Sequence, residues 1–198
     1  MAHAVESAFE VAFWYDDTAL KYNEYLQPQK LQKLLFLSQA YFAVAFGGAK
    51  LMPAVFVAEE LGPVEPTIYK AFSKGKPDID VDLFLSQGVE AFLAGIWRRF
   101  GNQSSERLTK LTRECEAYRR AYGKGRRTEI TLEAMHLSFA RARETPGLDQ
   151  VIKPQVMRTQ TGRPVAVKAW TPKRRPAAPP TQLAADPWAS IVRAARKD

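Results

Sequence analysis

The chain has 198 residues, of which 46% are hydrophobic, and its formal net charge is +8. This length and apolar content suit one domain with a genuine core and leave room for an appendage. The single cysteine, Cys115, excludes an intramolecular disulfide and supplies too few ligands for a zinc site. No charged segment followed by an apolar one opens the chain, so we expect no secretory signal and take the cytoplasm as the default compartment.

The basic residues are concentrated towards one end. Residues 1–145 carry 19 Lys and Arg against 18 Asp and Glu, whereas residues 146–198 carry 10 against 3. Eight of the 13 prolines also lie beyond residue 145. This change of composition predicts a nearly neutral folded domain over 1–145 and a basic, proline-rich tail over 146–198.

The N-terminal part begins with helical periodicity over residues 3–15, which predicts an amphipathic helix. Asp16 and Asp17 follow directly and favour a break in that helix. Residues 18–26 are then predicted to form a short second helix.

The longest apolar stretch covers residues 30–48. Polar residues within it shorten the uninterrupted apolar run below the roughly 20 residues that a membrane helix needs. Leu31, Leu34 and Ser38 recur at the spacing of one helical face, and Pro28 is well placed at a helix start. We therefore predict a core helix of a soluble domain, buried on most sides, and no membrane segment.

A small β element is predicted after this helix. The apolar run at 54–59 indicates a short strand, and the Gly-Pro pair after it indicates a turn. A short helix with proline at its start is predicted over 66–73, followed by a loop over 74–80.

The next helix is predicted over residues 82–99. Apolar residues recur along one side of this segment, as expected of a helix that packs on a core. Asp80 or Asp82 is the expected N-cap, because a short acidic side chain can accept from the first free N–H groups of a helix.

Two helices complete the predicted domain. The first covers 102–123 with Ser104 or Ser105 as its cap, and the second begins after Thr131, with the basic loop 124–130 between them. The predicted fold class is therefore mainly α: a compact helical domain with at most a short β element, followed by an extended basic proline-rich tail.

The residue types of enzyme and metal sites are sparse. His3 and His136 are far apart in sequence, and His136 lies within a predicted helix, where a structural role is the commoner one. Cys115 lies between Arg113 and Arg119, which favour a thiolate, but no histidine stands near it. We therefore predict a protein that is not an enzyme and that holds no cofactor and no metal.

Nucleic-acid binding is the alternative from another functional class. Five Lys and Arg lie within 119–127, Tyr118 and Tyr122 are interleaved with them, and “PKRRP” follows at 172–176. Such patches suit contacts with phosphates. Because residues 1–145 are balanced in charge, this interpretation is not the preferred one.

Two stretches carry a family resemblance. “KLQKLLFLSQAYFAVAFG”, followed after a short gap by “AEELGPVEPTIYKAF”, resembles the Panacea antitoxin domain, the SocA-like family. That family shows a Lys-Leu-x-Lys-Leu-Leu helix followed by an alanine and aromatic residues, then a Gly-Pro-Val turn and a helix containing tyrosine. The matching residues are Lys30, Leu31, Lys33, Leu34, Leu35, Ala40, Tyr41, Gly62, Pro63, Val64, Pro66 and Tyr69.

A third element of the family, Leu-Thr-His followed by Pro-Trp, is matched only in part. The corresponding residues are Leu111, Thr112, Arg113, Ala117 and Tyr118. The histidine, proline and tryptophan of the family are all replaced here. The resemblance covers about residues 25–140.

The resemblance implies an antitoxin that neutralises a toxin by protein contact. On the SocA-like pattern, it implies a proteolytic adaptor that brings a SocB-like toxin to a ClpXP-like ATP-dependent protease; masking of the toxin alone is the alternative. Lys30 and Lys33 lie three residues apart, so both could reach solvent on one face, either as ordinary surface lysines or as partners of acidic groups on a toxin. The residues implied for toxin binding are Lys30, Lys33, Tyr41, Gly62, Pro63, Val64, Tyr69, Thr112, Arg113 and Tyr118.

The tail contains two segments with a structural pattern. Residues 163–170 could form one strand, with pairing only against a partner protein as one possibility. “DPWASIVRAARKD” has the pattern of a short amphipathic helix that needs a surface to cover its apolar face. That helix would pack back on the domain, dock on an unfoldase or toxin as a tethered peptide, or contact nucleic acid or a membrane surface. The residues predicted for docking are Trp188, Ile191, Val192 and Arg193.

Overall fold

The computed structural model describes residues 3–79, 85–140 and 146–152, together with the backbone of two short strands at 156–158 and 164–166. The predicted fold class is confirmed, because these residues are mainly helical and contain only a small amount of sheet. The helices are Ala8–Lys21 (α1), Pro28–Ala45 (α2), Pro66–Phe72 (α3), Gln87–Phe100 (α4), Ser105–Glu114 (α5), Glu116–Lys124 (α6), Leu132–Ala140 (α7) and Leu148–Val151 (α8). The strands are Phe56–Glu59 (β1), Gly62–Val64 (β2), Glu129–Ile130 (β3), Val156–Arg158 (β4) and Pro164–Ala166 (β5).

The central helix is α2, which begins at Pro28 as predicted. Thirteen of its 18 residues are buried, and α1, α3, α4, α5, α7 and β2 pack around it. The prediction of a helix buried on most sides is therefore confirmed. Within the residues that the structure describes, no helix is both long enough and apolar enough to cross a membrane.

Aromatic contacts connect α2 to the elements around it. The ring of Phe36 meets Phe56 of β1 and Phe139 of α7 edge to face, at centroid distances of 5.5 and 6.0 Å. Further along the helix, Phe42 meets Phe92 of α4 at 5.2 Å. Each such pair adds about 0.5–1.5 kcal/mol beyond the burial of its area, so α2 holds the sheet, α4 and α7 in one core.

The first helix is one element where two were predicted. The ammonium of Lys76, in the loop after α3, lies 3.2 Å from the carboxylate of Asp16 and 2.7 Å from that of Asp17. It also lies 5.1 Å from the centre of the Phe13 ring. Because this distant cation compensates both carboxylates, α1 continues through them and the predicted break is wrong.

The helix caps agree in part with the prediction. Ser104 and Thr131 cap α5 and α7 through hydrogen bonds of 3.2 Å from a backbone N–H three residues on. In contrast, α4 begins later than predicted and is capped by Ser86, at 3.4 Å. Asp80 and Asp82, the predicted caps, lie outside the described residues.

The helix predicted over 102–123 is divided into α5 and α6. Cys115 between them has extended backbone angles, φ −65° and ψ 141°. Its Sγ donates to the carbonyl oxygen of Thr112, and the N–H of Ala117 donates to Oγ of Ser138. The break lets α5 pack on α2 while α6 packs on α7.

The small sheet has the strand order β2-β1-β3, with both pairings antiparallel. In its hairpin, Glu59 is opposite Gly62, so the turn lies at Glu60 and Leu61. The prediction that Gly62, Pro63 and Val64 form the turn is therefore wrong, since they form strand β2. The strand predicted within 163–170 is present as β5, which pairs with β4 of the same chain.

Residues 146–152 pack on the helical domain, although their composition belongs to the tail. Val151 is fully buried, and its carbonyl oxygen would lie 3.1 Å from a Cβ added at Gly95 in α4. The hydroxyl of Tyr41 donates to the carbonyl oxygen of Pro146 at 2.8 Å. These contacts extend the packed region beyond the composition break, as far as Ile152.

Candidate functional site

Residues of all three family motifs meet around the ammonium group of one lysine. Nζ of Lys33 in α2 donates to the carbonyl oxygen of Pro63 in β2 at 3.1 Å. A Cβ added at Gly62 would lie 3.0 Å from that Nζ and 3.3 Å from Oγ1 of Thr112 in α5. We call Lys33, Gly62, Pro63 and Thr112 the Lys33 junction.

The two motif lysines do not share an exposed face, which corrects the prediction. Lys33 is only 1% exposed, and within the described residues it forms no ion pair with a carboxylate. Burial, together with the nearby charge of Arg113, lowers the pKa of Lys33 to about 8. Lys30 is partly buried instead, with its ammonium 3.6 Å from the Glu24 carboxylate and 5.8 Å from the centre of the Trp97 ring.

Gly62 is required at this junction for two separate reasons. Its φ of +102° is a backbone conformation that residues with a side chain rarely adopt. A side chain there would also meet the Lys33 ammonium at 3.0 Å. The motif glycine therefore has a structural role in the hairpin.

Side chains of α2 occupy the outer edge of β2. Beside the Lys33–Pro63 hydrogen bond, the backbone N–H of Glu65 donates to Oε1 of Gln32 at 2.7 Å. Both groups would otherwise be open to pairing with another strand. The contact also orients the Gln32 amide, because a backbone N–H only donates and so must face the side-chain oxygen. Nε2 of Gln32 is left buried, with no hydrogen-bond partner among the described residues.

Tyr118, at the partly matched third motif, attaches α6 to the hairpin. Its ring is buried and stacks on that of Tyr122 at 5.4 Å, and burial raises the pKa of Tyr118. Its hydroxyl donates to the backbone carbonyl of Glu59 at 2.7 Å. Thr112 of the same motif is buried and donates to the carbonyl oxygen of Leu108 at 2.9 Å.

The other residues predicted for toxin binding differ in how far they are exposed to solvent. Tyr41 lies in the core with its hydroxyl on Pro146, so it is not a surface residue. Tyr69 of α3 is 44% exposed, and Val64 is partly buried beside it. Arg113 is exposed on α5 and lines a different concave surface from Tyr69.

Two concave surfaces lie on either side of the hairpin tip. The hairpin pocket, of about 520 Å³, is formed by β1, β2, the start of α2, α3 and the loop before β3, and Lys33 and Tyr69 line it. The helical groove, of about 1200 Å³, is formed by the start of α2, by α5 and by α6, and Arg113 and Tyr118 line it. Leu61, which is 52% exposed, lines both and forms the ridge between them.

The basic cluster at 119–127 is partly neutralised. Nε of Arg126 and Nε of Arg127 donate to the two carboxylate oxygens of Glu59, at 2.7 and 2.9 Å. These hydrogen bonds lower the pKa of the Glu59 carboxyl. Arg120 forms an ion pair with Glu116. The surface is therefore of mixed charge, which is less suited to a polyphosphate than the sequence suggested.

The sequence pattern had not indicated Gln32 or Glu59 as residues of this surface. Gln32 is one position from Lys33, but the apolar residues around it suggested only a core helix. Glu59 is 67 residues from Arg126, so only the pairing of β1 with β3 reveals their contact.

Comparison with known proteins identified no relative: no family model, curated protein or solved structure matches this chain. The resemblance to the Panacea antitoxin domain therefore depends on the sequence motifs alone. Within the described ranges, no group of three or more His, Cys, Asp and Glu side chains is placed to hold a metal ion. The predicted docking residues Trp188, Ile191, Val192 and Arg193 lie outside the described residues.

Proposed function

We propose that this protein is a SocA-like antitoxin that binds a toxin in the cytoplasm and delivers it to a ClpXP-like ATP-dependent protease. The observation that supports the proposal best is the Lys33 junction. The matched residues come from three separate parts of the chain, and they lie together in the fold. Here the contacts include a direct hydrogen bond from Lys33 to Pro63.

The face around the hairpin tip has the character of a protein-binding surface. Leu61 and Tyr69 are large apolar side chains exposed beside a buried junction, at 52% and 44%. Charged groups of both signs surround them, including Glu59 and Arg126. An apolar centre with a polar rim is the usual arrangement of protein interfaces, so we assign toxin contact to this face.

The delivery step is assigned to the tail. Its proline-rich, basic composition suits a semi-rigid tether that ends in a short docking segment. Such a tether would raise the effective concentration of a bound toxin near the protease, with no new contact on the toxin itself. Masking of the toxin without delivery is the alternative within the same class. A nucleic-acid-binding regulator remains the alternative from another class.

The proposal is tested by capture from the native host with three tagged proteins. These are the full chain, a chain that ends at residue 166 and so keeps every described element, and a full chain carrying Trp188→Ala and Ile191→Ala. Mass spectrometry identifies the captured proteins. We expect a small toxin with all three, and unfoldase subunits with the full chain alone.

Each other outcome has a definite meaning. A toxin without unfoldase in every sample supports masking and contradicts the adaptor role. Unfoldase capture that survives both tail changes contradicts the assignment of docking to the tail. Nuclease-sensitive capture of nucleic acid, without a toxin, contradicts the antitoxin proposal and supports the regulator.

A further inference from the structure

We propose that the hairpin pocket binds a carboxylate of the partner protein, carried by an acidic residue that has an apolar neighbour. This inference deepens the proposed function, because it names the chemistry of the segment that a toxin would present. It can fail independently, because the pocket can be tested without a toxin.

The rim of the pocket offers hydrogen-bond donors in a fixed position. Arg126 and Arg127 have side chains 63% and 76% exposed, and each uses its Nε–H on the carboxylate of Glu59. A guanidinium has further N–H donors on its terminal nitrogens, in a planar arrangement that matches a carboxylate. Glu59 therefore holds both guanidinium groups in place and leaves terminal donors for a second carboxylate.

The floor of the pocket adds the positive charge of Lys33, which forms no ion pair with a carboxylate among the described residues. The Lys33 ammonium is buried, and its hydrogen bond to Pro63 uses one of its N–H groups. Buried charge without a counter-ion is costly, and salt screens it little. An anion seated on the two arginines would lower that cost through the low-dielectric interior.

A second buried donor belongs to the neighbouring residue of α2, Gln32. Nε2 of Gln32 has no hydrogen-bond partner among the described residues, and Gln32 lines the same pocket. Both groups are donors only, so the floor favours an acceptor. A cationic or purely apolar ligand would leave both of them uncompensated.

The walls of the pocket favour a protein segment over a polyanion. Exposed parts of Leu61 and Tyr69 can cover the apolar neighbour of an acidic residue. The pocket is lined by three cations, Lys33, Arg126 and Arg127, and by the carboxylates of Glu59 and Glu60, so one further negative charge balances it and a run of phosphates would be repelled. One carboxylate with an apolar flank fits these features, whereas nucleic acid does not.

The test uses the full chain and a phage-displayed library of random 12-residue peptides. We expect enrichment of peptides that place Asp or Glu beside a large apolar residue. The best peptide is then labelled, and its Kd is measured by fluorescence anisotropy beside a version with each Asp or Glu replaced by Asn or Gln. The neutral version should bind at least about tenfold more weakly, as expected for loss of a charged anchor contact.

Variants of the protein locate the effect. Arg126→Ala with Arg127→Ala should weaken the acidic peptide by about tenfold or more. The matched control, Arg98→Ala with Arg99→Ala at the exposed end of α4, removes the same charge elsewhere and should change the Kd less than about twofold. Lys33→Met, with folding checked by circular dichroism, should weaken the peptide more than this control does.

Three results would overturn the inference. They are a library that enriches peptides without acidic residues or none at all, an equal loss of affinity with the Arg98 and Arg99 control, and displacement of the peptide by an equimolar single-stranded oligonucleotide. Toxin capture that is unchanged by the Arg126 and Arg127 substitutions overturns the pocket assignment but leaves the antitoxin proposal standing. If the protein binds acidic peptides but captures no toxin from its host, the antitoxin proposal fails and the pocket assignment stands.

Discussion

The β1–β2 hairpin is held by two sets of contacts of opposite character. Along the outer edge of β2, Gln32 and Lys33 reach the backbone from α2, and both are only 1% exposed. At the end of β1, Arg126 and Arg127 bind Glu59 with side chains that are mostly exposed. The hairpin is therefore attached to the core along the edge of β2, and its tip contacts cations that solvent can reach.

This difference separates stability from recognition. A buried hydrogen bond cannot be replaced by one to water, so its loss leaves an unsatisfied group and destabilises the fold. An exposed ion pair contributes little to stability and keeps its charge available to a partner. Substitutions at the Lys33 junction should therefore alter the free energy of unfolding as well as any binding that depends on the buried charge of Lys33, whereas substitutions at the arginines should alter binding alone.

The largest expected effect is that of Gly62→Ala. The substitution places a Cβ at 3.0 Å from Nζ of Lys33, in a backbone conformation with φ of +102°. We expect the free energy of unfolding in urea to fall by about 3 kcal/mol, from backbone strain together with displacement of the lysine. Gly48→Ala is the control, since Gly48 also has a positive φ, of +85°, but nothing within 4 Å.

The control separates the two causes. Strain alone should cost Gly48→Ala about 1–2 kcal/mol. Equal losses of unfolding free energy in the two variants would mean that the contact of the added Cβ with Lys33 has no effect on stability. The Lys33 junction would then not be a stabilising contact of the hairpin.

The next effect is a dependence of stability on pH that originates at Lys33. Its pKa is about 8 in the folded protein, against an ordinary value of 10.5. Between these values the unfolded chain binds more protons than the folded one, so stability rises with pH. From about pH 7.5 to 9.5 the wild-type free energy of unfolding should increase by about 2 kcal/mol relative to that of Lys33→Met.

The comparison with Lys33→Met removes the contributions of other titrating groups. The pKa values of Tyr15 and Tyr118 are raised by burial and act in the opposite direction at still higher pH, but both groups are present in each protein. If the free energies of unfolding of the two proteins change with pH in parallel, the Lys33 ammonium is solvated. That result would contradict the burial of the contacts at the outer edge of β2.

A smaller effect is expected of Tyr118→Phe, which tests the contact of α6 with the hairpin. It deletes the hydrogen bond to the Glu59 carbonyl, at 2.7 Å, and leaves the stacked ring in place. The loss should be about 1 kcal/mol in urea unfolding. Tyr122→Phe is the matched control, with an exposed ring in the same stack, and should be near neutral. A larger loss of unfolding free energy with Tyr122→Phe would mean that Tyr122, and not Tyr118, attaches α6 to the hairpin.

The smallest effect on stability is expected of Arg126→Ala with Arg127→Ala. Both side chains are mostly exposed, so the thermal unfolding midpoint should stay within experimental error of the wild type. The same variant should bind the acidic peptide more weakly, so that its effect on binding is distinguished from an effect on stability. A clear drop in the unfolding midpoint would show that these arginines stabilise the hairpin. Both sets of hairpin contacts would then contribute to stability, and the contrast between them would fail.

Elements marked by short-range signals were predictable from the sequence. The start of α2 at Pro28 and the caps at Ser104 and Thr131 depend on groups within about three residues of one another. The mainly helical class follows from apolar spacing along the same short segments. These features require no knowledge of which element packs on which.

Features that depend on distant contacts were not predictable. Lys33 looked exposed because α2 is apolar on nearly all sides, and such a helix marks no face for solvent. The continuation of α1 through Asp16 depends on Lys76, and the break at Cys115 accompanies a contact between Ala117 and Ser138. None of these partners is close in sequence.

The candidate site shows the same division. The sequence by itself determined which segments are helical and which short motifs are present, because hydrogen bonds within a turn and apolar periodicity are local. Only the tertiary structure decided that Lys33 is buried against Gly62 and Pro63, about 30 positions away. It also brought Arg126 to Glu59 through the pairing of β1 with β3. Burial and charge pairing are properties of the packed chain, since they depend on which surfaces exclude water together.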